Sequence, residues 1–151
     1  MLFRSSSFSK FEIDGPGAFR ALQRITANDL DKPAGTAIYT QLCNERGGIE
    51  ADLTIMRMGE NRFYVVTGSA FGVRDGGWIL RHLPVDGSVS FRDVTSSKAV
   101  INICGPRSRA VLAKVAEGDI SNAEFPFLGA REIRIGYAPV LAVRITYVGE
   151  L

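Results

Sequence analysis

The sequence predicts an α+β fold in which antiparallel sheets pack against helices, with a ferredoxin-like pseudo-repeat. Two observations support this fold class. Three β-type stretches follow one another between residues 37 and 67 with only short turns between them, which is the pattern of an antiparallel meander. In addition, two segments share the order strand, Gly-Pro turn and helix, with the turns at Gly15-Pro16 and Gly105-Pro106. A chain of 151 residues is long enough to bury one hydrophobic core.

The first strand and helix are predicted over residues 8–25. Polar and apolar side chains alternate from Phe8 to Asp14, which indicates a strand with one buried face. Gly15 and Pro16 then turn the chain, and proline suits the first helical position because its missing N–H costs nothing there. Apolar side chains follow at helical spacing: Ala18, Phe19, Leu22 and Ile25. A loop is predicted over residues 28–35.

The meander begins with a strand from Ala37 to Cys43 and continues through a hairpin turn at residues 44–48. Paired glycines supply the positive φ angles that such turns require. The chain returns as a strand from Ile49 to Met58, and a third strand follows from Arg62 to Thr67. Aromatic and β-branched side chains favour the strand conformation in this last stretch.

The remaining elements are a helix, a second strand–turn–helix unit and two final strands. The helix that follows the meander is predicted over residues 68–83, although each of its interior glycines weakens it by up to about 1 kcal/mol. The second unit comprises a strand that ends in the Gly105-Pro106 turn, over residues 99–106, and a helix over residues 107–117. The final strands are predicted over residues 131–135 and 139–148.

The composition argues against several classes of function. The formal net charge is only +2 and the basic residues are scattered, whereas nucleic-acid or anionic-membrane binding requires clustered Lys and Arg, so neither partner is expected. Two cysteines and one histidine are too few for a zinc site, and no metal is expected. No apolar run approaches the roughly 20 residues of a membrane span. A cytoplasmic location is expected, or a mitochondrial one in a eukaryote.

Asp52 is the residue that the local pattern singles out for chemistry. Alternation along residues 49–55 places Asp52 on one face with Glu50 and Thr54, and the apolar side chains on the other face. Aspartate is disfavoured in strands, so its presence requires a reason. One interpretation is a carboxylate in a cleft that holds an amine or accepts its proton. The other, which the local pattern favours, is a solvated face on which Asp52 pairs with a cross-strand arginine.

Three segments resemble one enzyme family. Ser6–Pro16 is similar to the opening of the folate-binding domain in dimethylglycine and sarcosine dehydrogenases. Tyr39–Leu53 is similar to the Tyr…Asn-Glu-x-Gly-Gly-Ile-x-x-Asp-Leu segment of the glycine cleavage aminomethyltransferases (T-proteins), and Arg144–Leu151 resembles their Arg-x-x-Tyr-x-Gly-Glu motif. The chain is therefore identified as a member of this folate-binding superfamily, most similar to the dehydrogenase branch. Residues 1–151 are expected to form a partial T-protein-type domain whose C-terminal part is missing.

The resemblance implies roles for individual residues. Asp52 matches the catalytic aspartate beside the reactive N10 of tetrahydrofolate, which positions or deprotonates the nucleophile. Glu150 matches the glutamate that binds the pterin edge, whose parallel N–H donors one carboxylate can accept. Arg144 is expected to pair with a carboxylate, and Ala51 replaces the first of two paired aspartates in T-proteins. The positions that match cofactor contacts are Phe8, Tyr39, Val65, Thr67 and Glu150.

The implied function is tetrahydrofolate-dependent transfer of a one-carbon unit, aminomethyl or methylene, from a methylamine-type donor such as glycine, sarcosine or dimethylglycine. In the dehydrogenase branch the amine is oxidised at FAD in a separate domain. A flavoprotein domain or subunit is therefore an implied partner, beside folate and the small amine. The alternative is a non-catalytic module that binds folate or another protein. The sequence leaves open whether residues 1–151 are active on their own.

Overall fold

The computed structural model describes residues 2–146. The strands are β1 (Leu2–Arg4), β2 (Ser9–Asp14), β3 (Thr36–Cys43), β4 (Ile49–Gly59), β5 (Arg62–Thr67), β6 (Ser90–Asp93), β7 (Ile101–Ile103), β8 (Ala130–Ile135) and β9 (Ala138–Val143). The α-helices are α1 (Ala18–Ile25), α2 (Gly72–His82) and α3 (Ser108–Leu112), and short 3-10 turns occupy Ser69–Phe71 and Thr95–Ser97. This is the expected α+β class. None of these helices is both long and apolar enough to cross a membrane.

The largest sheet contains five strands in the spatial order β3, β4, β5, β2 and β6, and every neighbouring pair is antiparallel. Because β3, β4 and β5 are consecutive in the chain, the predicted meander is confirmed. β2 lies between β5 and β6, which run parallel to each other and are connected by α2. This is the split β-α-β arrangement that characterises ferredoxin-like folds.

The inner face of this sheet packs against α1 and α2 and forms the main hydrophobic core. Phe11 and Ile13 in β2 and Phe63 and Val65 in β5 are at most 1% exposed. Burial of each such side chain contributes about 1.5–3 kcal/mol to stability. The helices contribute buried side chains to the same core, namely Leu22, Ile25, Trp78 and Ile79.

The outer face of the sheet is partly covered by the hairpin of β8 and β9. A second buried cluster forms at this contact; its members and close neighbours are Ala37, Met56, Ala130, Met58, Tyr64, Val66, Leu141 and Val143. Backbone hydrogen bonds hold the hairpin in place, since the Ala130 N–H donates to Gly35 O and the Ala37 N–H donates to Leu128 O, both at 2.7 Å. The outer face beside the β3–β4 turn stays exposed, as Tyr39 and Asp52 show.

The two predicted strand–turn–helix units share one backbone geometry. β2 leads to α1 through Gly15, and β7 leads to α3 through Gly105, with φ angles of +123° and +111° that favour glycine. In both units the glycine carbonyl accepts a hydrogen bond from the first helical N–H, that of Ala18 or Ser108, at 2.9 Å. The predicted repeat is therefore confirmed at the level of the turns.

The first strand of each half of the chain pairs with a strand of the other half. The first half comprises residues 2–83 and the second half residues 90–146. β1 opens the first half but pairs antiparallel with β7 of the second half. β6 opens the second half but pairs antiparallel with β2 of the first half. This reciprocal exchange joins the two halves through backbone hydrogen bonds.

Four elements differ from the sequence prediction. α3 ends at Leu112 instead of residue 117, because the chain turns to meet β8, where the Glu117 N–H donates to Arg134 O at 2.9 Å. β1 and β6 were absent from the prediction, since strands of three and four residues are too short to show a periodicity. β9 ends at Val143, so the prediction of a strand is wrong for residues 144–146, where Arg144 instead pairs with the loop before β8; residues 147 and 148 lie outside the described residues.

Candidate functional site

Tyr39 and Asp52 lie side by side on the outer face of the sheet. Tyr39 is opposite Thr54 and Gln41 is opposite Asp52, so the two side chains are diagonal neighbours. The Tyr39 hydroxyl donates a hydrogen bond to Asp52 Oδ2 at 3.1 Å. Tyr39 is 55% exposed, and Asp52 is exposed as well. The residue opposite Asp52 is thus a glutamine, and the expected cross-strand arginine is not there.

The alternation of β4 sets the orientation of Asp52. Ala51, Leu53 and Ile55 are at most 8% exposed and belong to the main core. Asp52 and Thr54 alternate with them and therefore face outward. The predicted face of Asp52 is confirmed.

Glu50 lies at a β-bulge just before Asp52. The register between β3 and β4 shifts here, so Glu50 has no partner residue in β3. Its carboxylate accepts hydrogen bonds from Asn44 Nδ2 and Arg74 Nη2, both at 2.8 Å. The hydrogen bond from Asn44, followed by that from Arg74, lowers the pKa of Glu50. Asn44 Oδ1 also accepts from the Gly48 N–H at 2.9 Å, and these contacts fix the turn beside the site.

Phe8 lies on the same outer face, on the other side of β5. The register of β2 with β5 ends at Ser9 opposite Thr67, and that of β4 with β5 ends at Thr54 opposite Val66. Continued by one and by two residues, these registers bring Phe8 and Asp52 to opposite sides of Gly68. Neighbouring strands are about 4.8 Å apart, so the backbones of Phe8 and Asp52 are about 10 Å apart. The Phe8 side chain is 42% exposed. The predicted contact residues Phe8 and Tyr39 therefore flank Asp52 on one surface.

A buried ammonium group fixes the turn that precedes Phe8. Lys10 is fully buried, and its Nζ donates hydrogen bonds to Ser6 O at 2.8 Å and to Phe8 O at 2.7 Å. Desolvation lowers the pKa of Lys10, while the negative charge of Asp93 partly opposes the shift. The carbonyl groups on both sides of the turn are thus held by one side chain.

Val65 and Thr67 are not brought to this surface. Both lie on the inner face and are 0% and 3% exposed. The Thr67 hydroxyl donates a hydrogen bond to Asp75 Oδ2 of α2 at 2.5 Å. Their contact with folate stays a prediction, with both side chains directed away from the Tyr39–Asp52 pair.

The other predicted site residues are in the second half or beyond it. Glu150 lies outside the described residues. Arg144 Nη1 donates to the Phe125 carbonyl at 2.8 Å, and within residues 2–146 its guanidinium forms no ion pair, so its pairing with a carboxylate stays a prediction. Arg144 lines one of two clefts, and the other cleft, of about 470 Å³, lies between Leu2 of the first half and Val111 of the second half. Neither of these clefts includes the Tyr39–Asp52 pair, which occupies an open surface.

Phe71 is a residue of this surface that the sequence reasoning missed. A Cβ atom built on Gly68 would lie 3.4 Å from Phe71 Cδ2, so the ring of Phe71 covers Gly68. The ring is 55% exposed. In the sequence Phe71 counts as an apolar residue of a helix starting at residue 68. The α-helix begins only at Gly72, and no sequence pattern separates Phe71 from it.

Comparison with known proteins assigns the chain to a family. The family described as the GCVT N-terminal domain matches residues 1–151. The chain belongs to this family. The glycine cleavage system aminomethyltransferase T from Bartonella henselae has the same fold as this GCVT N-terminal domain, with a TM-score of 0.75 and 25% sequence identity. The match covers 99% of this chain and 39% of the Bartonella chain.

Longer proteins contain similar GCVT N-terminal domains. The mitochondrial pyruvate dehydrogenase phosphatase regulatory subunit of Mus musculus is 35% identical over 148 residues, and the mitochondrial dimethylglycine dehydrogenase of Homo sapiens is 33% identical over 147 residues. An aminomethyltransferase of Shouchella clausii is 33% identical over 150 residues. These matches cover 96%, 97% and 99% of this chain. The chain spans only 17%, 17% and 40% of the lengths of these relatives.

Proposed function

We propose that this domain takes part in tetrahydrofolate-dependent transfer of a one-carbon unit, with Asp52 as its catalytic carboxylate. The observation that carries the proposal is the hydrogen bond between Tyr39 and Asp52 on an exposed sheet face. The names of two relatives support the chemistry. One is an aminomethyltransferase, and the other is a dehydrogenase of dimethylglycine, an N-methylated amine.

The exposed residues fit tetrahydrofolate in two respects. Folates carry flat rings connected through an N–H group, N10. Phe8 and Tyr39 present exposed aromatic side chains that can contact such rings. Asp52 presents a carboxylate, which can accept a hydrogen bond from an N–H group. When bound, tetrahydrofolate supplies the nitrogen that receives the one-carbon unit.

Asp52 has two tasks in this proposal. It accepts a hydrogen bond from the nucleophilic nitrogen and so orients it. It then accepts the proton of that nitrogen as the nitrogen adds to the iminium carbon of the oxidised amine, while the C=N π electrons move onto the donor nitrogen. The Tyr39 hydroxyl donates a hydrogen bond to Oδ2 of Asp52 and so restricts rotation of the carboxylate. Both residues project from paired strands, which hold the carboxylate in place more firmly than a loop does. Pre-orientation of the reacting groups lowers the barrier by supplying part of the entropy in advance.

The donor in this proposal is a small amine such as glycine, sarcosine or dimethylglycine, and the proposed partner is a flavoprotein domain or subunit that oxidises it. Glu150 is proposed to bind the pterin edge of the folate. Contacts of Val65 and Thr67 with folate stay predictions. The proposed location is the cytoplasm, or the mitochondrion in a eukaryote, since the mouse and human relatives are named as mitochondrial.

Replacement of Asp52 tests the proposal. We expect Asp52→Asn in the full-length protein to reduce one-carbon transfer at least about 100-fold, because a general acid–base group contributes about 10²–10⁴ in rate. Binding of tetrahydrofolate should be retained, since asparagine keeps the shape and can still accept from Tyr39. The measurements are the rate of transfer to tetrahydrofolate and its Kd by calorimetry.

Asp86→Asn is a matched control for this experiment. Asp86 lies in the turn after α2, where Oδ1 accepts from the Ser88 N–H at 2.9 Å. The same chemical change there should leave transfer and binding unchanged. Equal transfer rates in Asp52→Asn and the wild type would exclude a catalytic role for Asp52.

A second candidate function is a non-catalytic binding module. It is favoured by one observation, namely that the mouse relative with 35% identity is named a regulatory subunit. The same measurements separate the two candidates. A non-catalytic module binds tetrahydrofolate or a protein partner but shows no transfer in the wild type.

A further inference from the structure

We propose that Phe71 is a ligand-contacting residue of this site. Together with Phe8 it forms an aromatic wall that stacks on the p-aminobenzoyl ring of the folate whose N10 is at Asp52. The inference rests on the proposed function and adds one residue and one subsite to it.

The position of Phe71 follows from the row of residues across the sheet. Val66 faces outward and Thr67 inward, so the next residue, Gly68, faces outward again. Gly68 lies between Asp52 and Phe8 in this row and has no side chain of its own. An edge of the Phe71 ring lies against the space beside Gly68, because its Cδ2 is 3.4 Å from where a Cβ would be.

The turn that carries Phe71 is held by three contacts. The Phe71 N–H donates to Gly68 O at 3.1 Å. Ser69 Oγ donates to Ser7 Oγ at 3.0 Å, which connects this turn to the loop before Phe8. Directly after Phe71, the helix begins at Gly72 in close contact with Ser9. Phe71 is thus kept near Phe8 by the fold.

The exposure of these rings points to a flat ligand. Phe8, Tyr39 and Phe71 are 42%, 55% and 55% exposed, and the Tyr39 hydroxyl donates a hydrogen bond to Asp52 Oδ2. Clustered exposed apolar groups mark binding surfaces, whereas single ones are normal. Aromatic rings attract one another in offset or edge-to-face geometry at centroid distances of about 4.5–7 Å.

The ring beside Asp52 is identified by the chemistry of folate. N10 is bonded directly to the p-aminobenzoyl ring, whereas the pterin is one methylene group further away. A nitrogen held at Asp52 therefore brings the p-aminobenzoyl ring next to the adjacent wall of Phe8 and Phe71. Tyr39 lies on the opposite side of Asp52, one strand further out.

Two ligands and two variants test the inference. We expect Phe71→Ala in the full-length protein to weaken binding of tetrahydrofolate about five- to tenfold, the loss of one aromatic stacking contact. Binding of tetrahydrobiopterin, which has a reduced pterin but no p-aminobenzoyl ring, should be unchanged. The matched control is Tyr137→Ala, since Tyr137 is 99% exposed in the β8–β9 turn and should affect neither ligand.

Calorimetry gives the Kd values, and melting temperatures confirm that each variant is folded. Wild-type affinity for tetrahydrofolate in Phe71→Ala would overturn the inference. Equal weakening of both ligands would also overturn it, because the effect would then not be specific to the p-aminobenzoyl ring. If the wild type itself does not bind tetrahydrofolate, the proposed function fails instead, so the two failures are distinguishable.

Discussion

At the scale of single residues, Tyr64 has an unusual environment for an ionisable group. Its side chain lies between the outer sheet face and the β8–β9 hairpin, in the cluster that contains Met56 and Leu141. Burial, followed by the negative charge of Glu12, raises the pKa of Tyr64 from 10.0 to about 12. Both effects disfavour the phenolate. The contact between the halves therefore depends on a neutral phenol.

We expect the stability of the protein to fall as the pH rises from 10 towards about 12, with Tyr64 as one cause. The unfolded chain releases the phenol proton near its ordinary pKa, whereas the folded protein retains it, so unfolding becomes more favourable in this window. The contribution is fully present below pH 10. Urea titrations at pH 9 and pH 11 measure the difference.

Tyr64→Phe should show a smaller loss of stability between these two pH values than the wild type. Tyr137→Phe is the matched control, because Tyr137 is 99% exposed and should leave the difference as it is. If the pH dependence of Tyr64→Phe equals that of the wild type, burial of Tyr64 is not a cause of the alkaline loss.

The sequence predicts the orientation of Asp52 but not that of Val65. β4 alternates polar and apolar residues over positions 50–55, so its inner face is evident from the pattern. In β5 both faces are apolar, because Phe63 and Val65 contact helices while Tyr64 and Val66 contact the hairpin. Alternation cannot assign a face in such a strand. The resemblance matched Val65 to a folate contact without indicating that its side chain points into the core.

At the scale of elements, the start of α2 is determined by close packing against β2. A Cβ on Gly72 would lie 2.7 Å from Ser9 Cβ, closer than real atoms approach. No rotation of the serine side chain relieves this contact, because the Cβ atom does not move with χ1. Gly77 is in the same helix, and a Cβ there would meet its nearest neighbour, Arg81 Nη1, at 3.7 Å.

The two glycines should respond in opposite ways to replacement by alanine. We expect Gly72→Ala to lower the free energy of unfolding by about 1–3 kcal/mol through overpacking. Gly77→Ala should raise it by about 0.5–1 kcal/mol, because alanine is the better helix former. Urea titrations of both variants give the values, and the double variant Ser9→Gly with Gly72→Ala should recover part of the loss. Equal effects of the two single variants would contradict the packing argument.

The elements that the sequence predicts are those long enough to show a period. The meander over residues 37–67, α1 and α2 are all confirmed within one to four residues. The helix predicted over residues 107–117 is shorter than expected, because the apolar spacing continues after a contact with β8 has ended the helix. β1 and β6 have three and four residues, and they exist because an edge of β7 and an edge of β2 are available for pairing.

At the scale of the whole molecule, the reciprocal exchange of β1 and β6 couples the two halves. β1 contributes its hydrogen bonds to the second half through the pairs of Leu2 with Ile103 and Arg4 with Ile101. Such pairings span about 100 residues of sequence, and no local pattern contains them. The two Gly-Pro turns do reveal the repeat, because their geometry is local.

Deletion of residues 1–4 should therefore destabilise a distant part of the chain. We expect faster amide exchange in β7, which loses its paired strand, and in α3, which directly follows β7, with unchanged exchange in β4 and β5. Hydrogen–deuterium exchange followed by mass spectrometry measures both regions in one experiment. The control replaces residues 1–4 by glycine and serine, which retain the backbone. Faster exchange throughout the five-stranded sheet, or no change in β7, would contradict the coupling.

The exchange of β6 also has a consequence during synthesis on the ribosome. β2 is complete once Asp14 has been made, but the strand that covers its outer edge ends only at Asp93. At about 5–20 residues per second, synthesis of the intervening chain takes about 4–16 seconds. Throughout that interval the nascent chain carries an unpaired strand edge, which is a template for pairing with other chains. Chaperone protection of the nascent chain thus matters most before the second half begins.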